Sequence, residues 1–237
     1  MTALLVGSVV LLGTDGCGFP DVPASAAAPT TEAPVHTAWR HRVAEPVVEP
    51  GRFGDEPAAE FGRAGVKAAY AETVRYAADT TFDEMLLVPT PYRGKAQFLR
   101  HVSRMSMDMA TDYGAMVDAA WDGDTAAADE LFACRFYFDD DPAYRLQATG
   151  PLVLDHVIED PQMYVERGTG VAQPEVSFVQ RGDVRMQVDG EDVLVRYIKT
   201  ATYWLVPAPP GDAFRWRIDG YYIDWDTADP VPDTGTY

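Results

Sequence analysis

Residues 176–206 read VSFVQRGDVRMQVDGEDVLVRYIKTATYWLV, with β-branched and aromatic residues alternating with polar ones on both sides of Asp189-Gly190. A period of two is what a half-buried strand requires. Both positions of a two-residue Asp-Gly turn favour positive φ, so the stretch predicts a hairpin with arms Val176 to Val188 and Asp192 to Val206. On the second arm the odd positions carry Val193, Val195, Tyr197, Ala201, Tyr203 and Leu205, with Lys199 among them. The even face, Leu194 to Trp204, is amphipathic and is an alternative inward face, one that would leave Lys199 in solvent.

Working outward, Leu152 to Ile158 reads as a preceding strand and Phe214 to Asp226 as a following one, reversed by Pro209-Pro210-Gly211-Asp212. In that last strand Phe214, Trp216 and Ile218 share one parity, and Tyr221, Ile223 and Trp225 share the other. A bulge at Gly220 reconciles them, because one extra residue flips the face. Toward the amino terminus the period changes to a helical one. Helices are expected at 58–79, at 95–121 with Gly114 as a point of division, and at 125–135, where Asp124 can accept a backbone donor. Val88-Pro-Thr-Pro91 marks a loop, and a short strand near Met85 to Val88 would complete the sheet. The expected class is α+β: three N-terminal helices packed on a curved, antiparallel four-stranded sheet. This domain spans 59–228, and 229–237 is a flexible tail.

Residues 18–58 contain seven of the chain's 18 prolines. Repeated proline blocks helix propagation and denies donors to a sheet, so the segment reads as a disordered tether. His36 and His41 flank Trp39 within it and read as solvated residues rather than metal ligands. Before the tether, Ala3 to Leu12 is an apolar run of signal-peptide length, too short to span a bilayer. Gly13-Thr-Asp-Gly-Cys17 follows, and Gly16-Cys17 resembles the lipobox of bacterial lipoproteins, in which a cysteine behind a small residue receives a lipid. That resemblance makes 1–17 a leader and Cys17 the lipid-attachment residue.

Lys and Arg number 19 against 37 Asp and Glu, a net charge of −18. Such a field repels nucleic acid. It also opposes unaided attachment to an anionic membrane surface. Residues 1–55 hold three basic and six acidic side chains, so −15 belongs to the rest.

Motifs for nucleotide loops, dinucleotide fingerprints, zinc proteases, paired CxxC and serine-hydrolase elbows are missing from the sequence. The run Asp139-Asp140-Asp141 is followed by Pro142 and reads as a solvated loop rather than a calcium site. His101, Asp108 and Asp112 fit the polar stripe of an amphipathic helix. Cys134 lies among apolar residues as a buried thiol. No metal or cofactor is expected. Lys199 stands on an apolar face and must find a partner or lose its charge. Lys199, Tyr203 and His156, the last in an apolar strand, are the candidate pocket residues.

The element order, the tether and the closing strand Trp216-Arg-Ile-Asp-Gly-Tyr-Tyr222 resemble the nuclear-transport-factor-2-like (cystatin-like) proteins. They resemble most of all the exported lipoproteins and mammalian-cell-entry-associated proteins of high-GC Gram-positive bacteria. The resemblance covers roughly 60–226 and implies a cone-like domain in an extracytoplasmic, lipid-anchored protein. Two functions are consistent with it. One is a non-enzymatic cell-envelope lipoprotein that binds a small apolar ligand or an envelope protein partner, with a homodimer through the sheet as a further form. The other is an isomerase or hydrolase using a pocket in the same cone.

Overall fold

The computed structural model describes Val43 and residues 45–83, 85–87, 94–137, 144–147, 150–168 and 170–235. Cys17, His36, Trp39, His41 and the acidic run 139–141 lie outside the described residues. In chain order the elements are β1 (Val47–Val48), β2 (Arg52–Phe53), α1 (Asp55–Thr80), α2 (Lys95–Phe98), α3 (Met107–Trp121), α4 (Thr125–Cys134), β3 (Tyr144–Leu146), β4 (Val153–Glu166), β5 (Gln173–Val188), β6 (Glu191–Pro207), β7 (Trp216–Thr227) and β8 (Val231–Pro232). Among the described residues this is a mixed α+β protein with four α-helices and an open, mostly antiparallel eight-stranded sheet. The expected three helices and four strands are therefore too few. No described helix is long and apolar enough to cross a membrane.

The central hairpin forms as its turn chemistry dictates, with Asp189 and Gly190 at φ 52° and 85° and Val188 paired to Glu191. The odd positions of β6 face the helices, so Lys199 is buried together with Val195, Ala201, Tyr203 and Leu205. On β7 the register slips between the Leu205–Ile218 and Trp204–Gly220 pairs, which leaves Asp219 as the extra residue. Trp216 and Ile218 before the bulge and Ile223 after it consequently all point inward and are buried.

Two more slips lie in β4, after Leu154 and after Glu159. Asp155 and Asp160 occupy them at φ 45° and 43°, a region that aspartate tolerates better than most residues. Because Pro161 falls in the second slip, its missing N–H leaves the ladder intact and the strand runs on to Glu166, well past the expected end at Ile158. Close approach fixes one position on β5: a Cβ at Gly182 would lie 2.7 Å from Phe82 Cε2 and 2.8 Å from Val153 Cγ1. A bare backbone there is what lets Phe82 rest on the sheet.

Helix α1 kinks at Gly62 (φ 70°, ψ 155°) and buries Ala69, Thr73, Tyr76, Ala77 and Thr80 against β4, β5 and β7. The helical region expected at 95–121 is divided well before Gly114, into two helices with a 3-10 turn, Val102–Arg104, between them. The interruption has long-range causes. Ser106 Oγ accepts from Met109 N at 3.1 Å as an N-cap, and the Ser106 N–H donates to Ile218 O at 2.7 Å on the edge of β7. Gly114 instead sits inside α3. The Asp124 cap forms as expected, accepting from Ala127 N at 3.1 Å. Met85–Leu87 is a turn and not a strand: Leu86 N and Leu87 N both donate to Asp83 O, at 2.7 and 3.2 Å.

Both ends of the domain are more ordered than their composition suggests. The last part of the tether is an arm, since Val43, β1 and β2 pair parallel with β4 and cover its edge. The expected tail is pinned as well. β8 pairs with β6, and Asp233 accepts from Arg185 Nε at 2.8 Å and Gln147 Nε2 at 2.9 Å.

Candidate functional site

The end of α1 runs into Thr80-Thr81-Phe82-Asp83, and consecutive side chains leave this turn in different directions. Thr81 points into the core, Phe82 packs between the rings of Phe136, His156 and Trp225, and Asp83 lines an outer cleft. Two polar assemblies meet here.

The inner one crosses the sheet. Gln180 and Lys199 are direct cross-strand partners, so their side chains rise from the same row toward α1. Lys199 Nζ donates to Thr81 Oγ1 at 3.0 Å, and Thr81 Oγ1 donates to Gln180 Oε1 at 2.7 Å. The amide is thereby oriented, and its Nε2 meets His156 Nε2 at 2.7 Å. An amide nitrogen only donates, so His156 Nε2 accepts and its ring proton sits on Nδ1. The Lys199 amine also lies 5.8 Å from the Tyr203 ring centroid and 5.7 Å from that of Trp225. Burial pushes this amine down to about 7, and the nearby charge of Arg135 acts in the same direction.

Arg135 is the second buried cation, donating from Nε to Tyr113 Oη at 3.2 Å and from Nη2 to Arg100 O at 2.5 Å. Its guanidinium lies over the rings of Tyr76 and Tyr113. Among the described residues neither Lys199 nor Arg135 has an ion pair. Burial raises the Tyr203 hydroxyl well above its usual range and pushes the Cys134 thiol up to about 12, so neither group ionises near neutrality.

The candidate residues Lys199, Tyr203 and His156 are thus brought together, with Thr81 and Gln180 joining lysine to histidine. All three are sealed, at 0%, 1% and 3% exposure.

The outer assembly is open. A cleft of about 440 Å³ lies between the arm (Glu45, Pro46), the end of α1 (Arg75, Asp79) and the segment carrying Arg100, His101 and Arg104. Asp83 Oδ1 accepts from Arg100 Nη1 at 2.7 Å and from Met85 N at 3.0 Å. Asp79 accepts from Arg75 Nε at 3.1 Å and Arg104 Nη2 at 2.7 Å. At the floor, Asp83 Oδ2 and His101 Nε2 face each other at 4.0 Å, too long for a hydrogen bond, and neither has a hydrogen-bond partner. His101 takes φ 67° to reach this position. Burial lowers its pKa, reinforced by Arg135 and opposed by Asp83, so the ring is neutral at neutral pH. The sequence stripe that grouped His101 with Asp108 and Asp112 does not form, because the helix break turns His101 away while both aspartates stay exposed.

Asp83, Arg100, Arg104, Thr81, Gln180 and Arg135 are functional candidates that sequence reading does not find. No group of three metal-ligating side chains occurs among the described residues. No known protein family, curated protein or solved structure matches the chain.

Proposed function

We propose that this protein is a non-enzymatic, lipid-anchored component of the bacterial cell envelope whose cone-like domain binds a partner protein. The observation that carries binding over catalysis is the sealing of the titratable interior: a substrate has no route to Lys199, Tyr203 or His156 at 0–3% exposure. The same sealing removes support for a small apolar ligand held inside the cone. The nuclear-transport-factor-2-like cone itself draws support from the slips after Leu154, after Glu159 and at Asp219, because a bulge bends the strand that carries it.

A partner surface is supported by the arm, where Val47, Val48 and Phe53 are exposed on an edge strand that can accept another chain. Tyr164, also exposed, follows the β4 residue Met163 that pairs with Phe53. Residence at the extracytoplasmic face rests on Cys17 and the tether behind it. A homodimer through the sheet is the form in which the partner is a second copy.

One observation favours the second reading, an isomerase or hydrolase: a hydrogen-bonded chain, Lys199–Thr81–Gln180–His156, joins two titratable side chains in one interior. It would need the core to open. Two measurements on the full chain test the proposal. Cys17→Ser should release the protein from membranes and remove a lipid mass shift, and unchanged partition sinks the anchor. Val47→Asp with Phe53→Ser should abolish a cross-link to a defined envelope protein while thermal unfolding stays unchanged. A cross-link that survives the double substitution removes the arm as the docking surface.

A further inference from the structure

The outer cleft has a graded construction that fits one kind of ligand. Its floor carries two buried polar atoms with no hydrogen-bond partner, Asp83 Oδ2, on a side chain 3% exposed, and His101 Nε2. Toward the rim come guanidinium groups, Arg100 at 44% exposure and Arg75 at 63%. Asp83 and Asp79 hold one edge of each arginine, which leaves further N–H groups free for a ligand, since a guanidinium has five. We propose that the cleft binds a small zwitterion whose primary ammonium sits between Asp83 Oδ2 and His101 Nε2 and whose phosphate or carboxylate meets the arginines at the rim.

The 4.0 Å separation of the two floor atoms fits a bridging donor with at least two hydrogens. A donor at a usual hydrogen-bond length of about 2.8 Å from both subtends an angle of about 90°, within reach of the tetrahedral N–H directions of an ammonium. A hydroxyl has a single hydrogen and cannot serve both acceptors. A tetrahedral metal ion with bonds of about 2.1 Å needs its ligand atoms about 3.4 Å apart, and no third ligating side chain joins the pair among the described residues. Binding requires the neutral His101 tautomer with its proton on Nδ1, which presents a single lone pair at Nε2, and the carboxylate supplies the compensating charge. At about 440 Å³ the cleft is at the small end of the range of small-molecule sites, roughly 300–1,000 Å³.

The inference does not depend on the anchor or on a protein partner, so its failure and theirs are separable. The test is the ring ¹⁵N resonance of His101 in the full, unlipidated chain, titrated with phosphoethanolamine, with ethanolamine alone and with inorganic phosphate alone. Phosphoethanolamine should shift it saturably, on the order of tenfold more tightly than either half. Asp83→Asn should weaken the whole probe and ethanolamine alike, and Arg75→Ala, a substitution at an exposed side chain, should weaken the whole probe while sparing ethanolamine. Vesicles containing phosphatidylethanolamine distinguish the sources: a His101 shift with vesicles identifies a lipid headgroup, and one confined to the soluble probe identifies a free solute. The absence of a saturable shift with both phosphoethanolamine and vesicles overturns the proposal. Equal affinity for phosphoethanolamine and inorganic phosphate overturns it too, because the ammonium would then contribute nothing.

Discussion

Thr81 and Asp83 are two residues apart on one turn, yet they belong to assemblies built on opposite rules. Inside, two cations are held without any ion pair among the described residues, by a hydroxyl, a main-chain carbonyl and aromatic faces. Outside, Arg75, Arg100 and Arg104 are matched by Asp79 and Asp83, and Glu45 also lines the cleft. Depth explains the difference. A carboxylate carried into the core would add its own desolvation cost to that of the lysine, which attraction repays only with excellent geometry. Neutral partners avoid that second cost, and the lysine can meet the rest by releasing its proton. In the cleft, Arg75 and Arg100 stay 63% and 44% exposed, so water keeps much of their solvation and in those pairs only the carboxylates lose theirs.

Phe82 separates the two assemblies, so removing it is the harshest way to break the comparison. Its ring is 2% exposed, and Phe82→Ala should cost about 3–5 kcal/mol, read from denaturant unfolding. Both the Lys199 network and the cleft should loosen together. A cost below about 1 kcal/mol would mean that the turn is held by something other than the seat at Gly182.

The next largest effect sharpens the inner side through pH. The folded-state value for Lys199, about 7, lies below its ordinary 10.5, so between these values the unfolded chain binds more protons than the folded one. Stability should therefore rise with pH across that window, by at most about 1.4 kcal/mol per unit for one group. Below the window both states hold the proton and the burial cost is constant. Lys199→Met should abolish this rise and be neutral or stabilising at pH 7. A difference between wild type and variant that is flat from pH 7 to 10 would show that the amine finds a stabilising partner when charged.

The contrast between the two assemblies also governs what the sequence discloses. The hairpin at Asp189-Gly190 and the bulge beside Gly220 are legible, because each follows from a local period or a local turn preference, whereas the inward face of β6 is left between two parities that both carry apolar residues. The Asp124 cap is legible too. The break after Phe98 is not, since Ser106 ends one element and starts another only where the carbonyl of Ile218 is at hand. The extension of β4 is hidden for a different reason: Asp160-Pro161 reads as a terminator, and only a bulge turns it into part of a strand. The inner site is half visible, its lysine by parity and its histidine by an apolar setting, while Thr81 and Gln180 carry no local mark. Nothing local announces the cleft, because Glu45, Asp83 and His101 come from three segments that meet only in the fold.

Thr81→Val probes the inner assembly one atom at a time. Losing the hydroxyl leaves both Lys199 Nζ and Gln180 Oε1 without the partner that now joins them, and the replacement is close to isosteric. The expected cost is about 1–3 kcal/mol, the penalty for stranding buried polar groups. It should shrink when Lys199→Met is present, because one of the stranded groups is then gone. Additive costs in that double-mutant cycle would show that the hydroxyl and the amine do not interact.

Arg75→Ala is the matching deletion outside, and the smallest effect expected. The side chain is 63% exposed and Asp79 keeps its second partner, Arg104, at 2.7 Å, so no buried charge is stranded. Although far more atoms are removed than in Thr81→Val, the cost should stay within about 0.5 kcal/mol and fall further in salt. Depth, rather than charge or the size of the group removed, would then rank the two. An Arg75→Ala cost exceeding that of Thr81→Val would reverse the ranking and make the cleft, not the buried network, the part of this turn that holds the domain together.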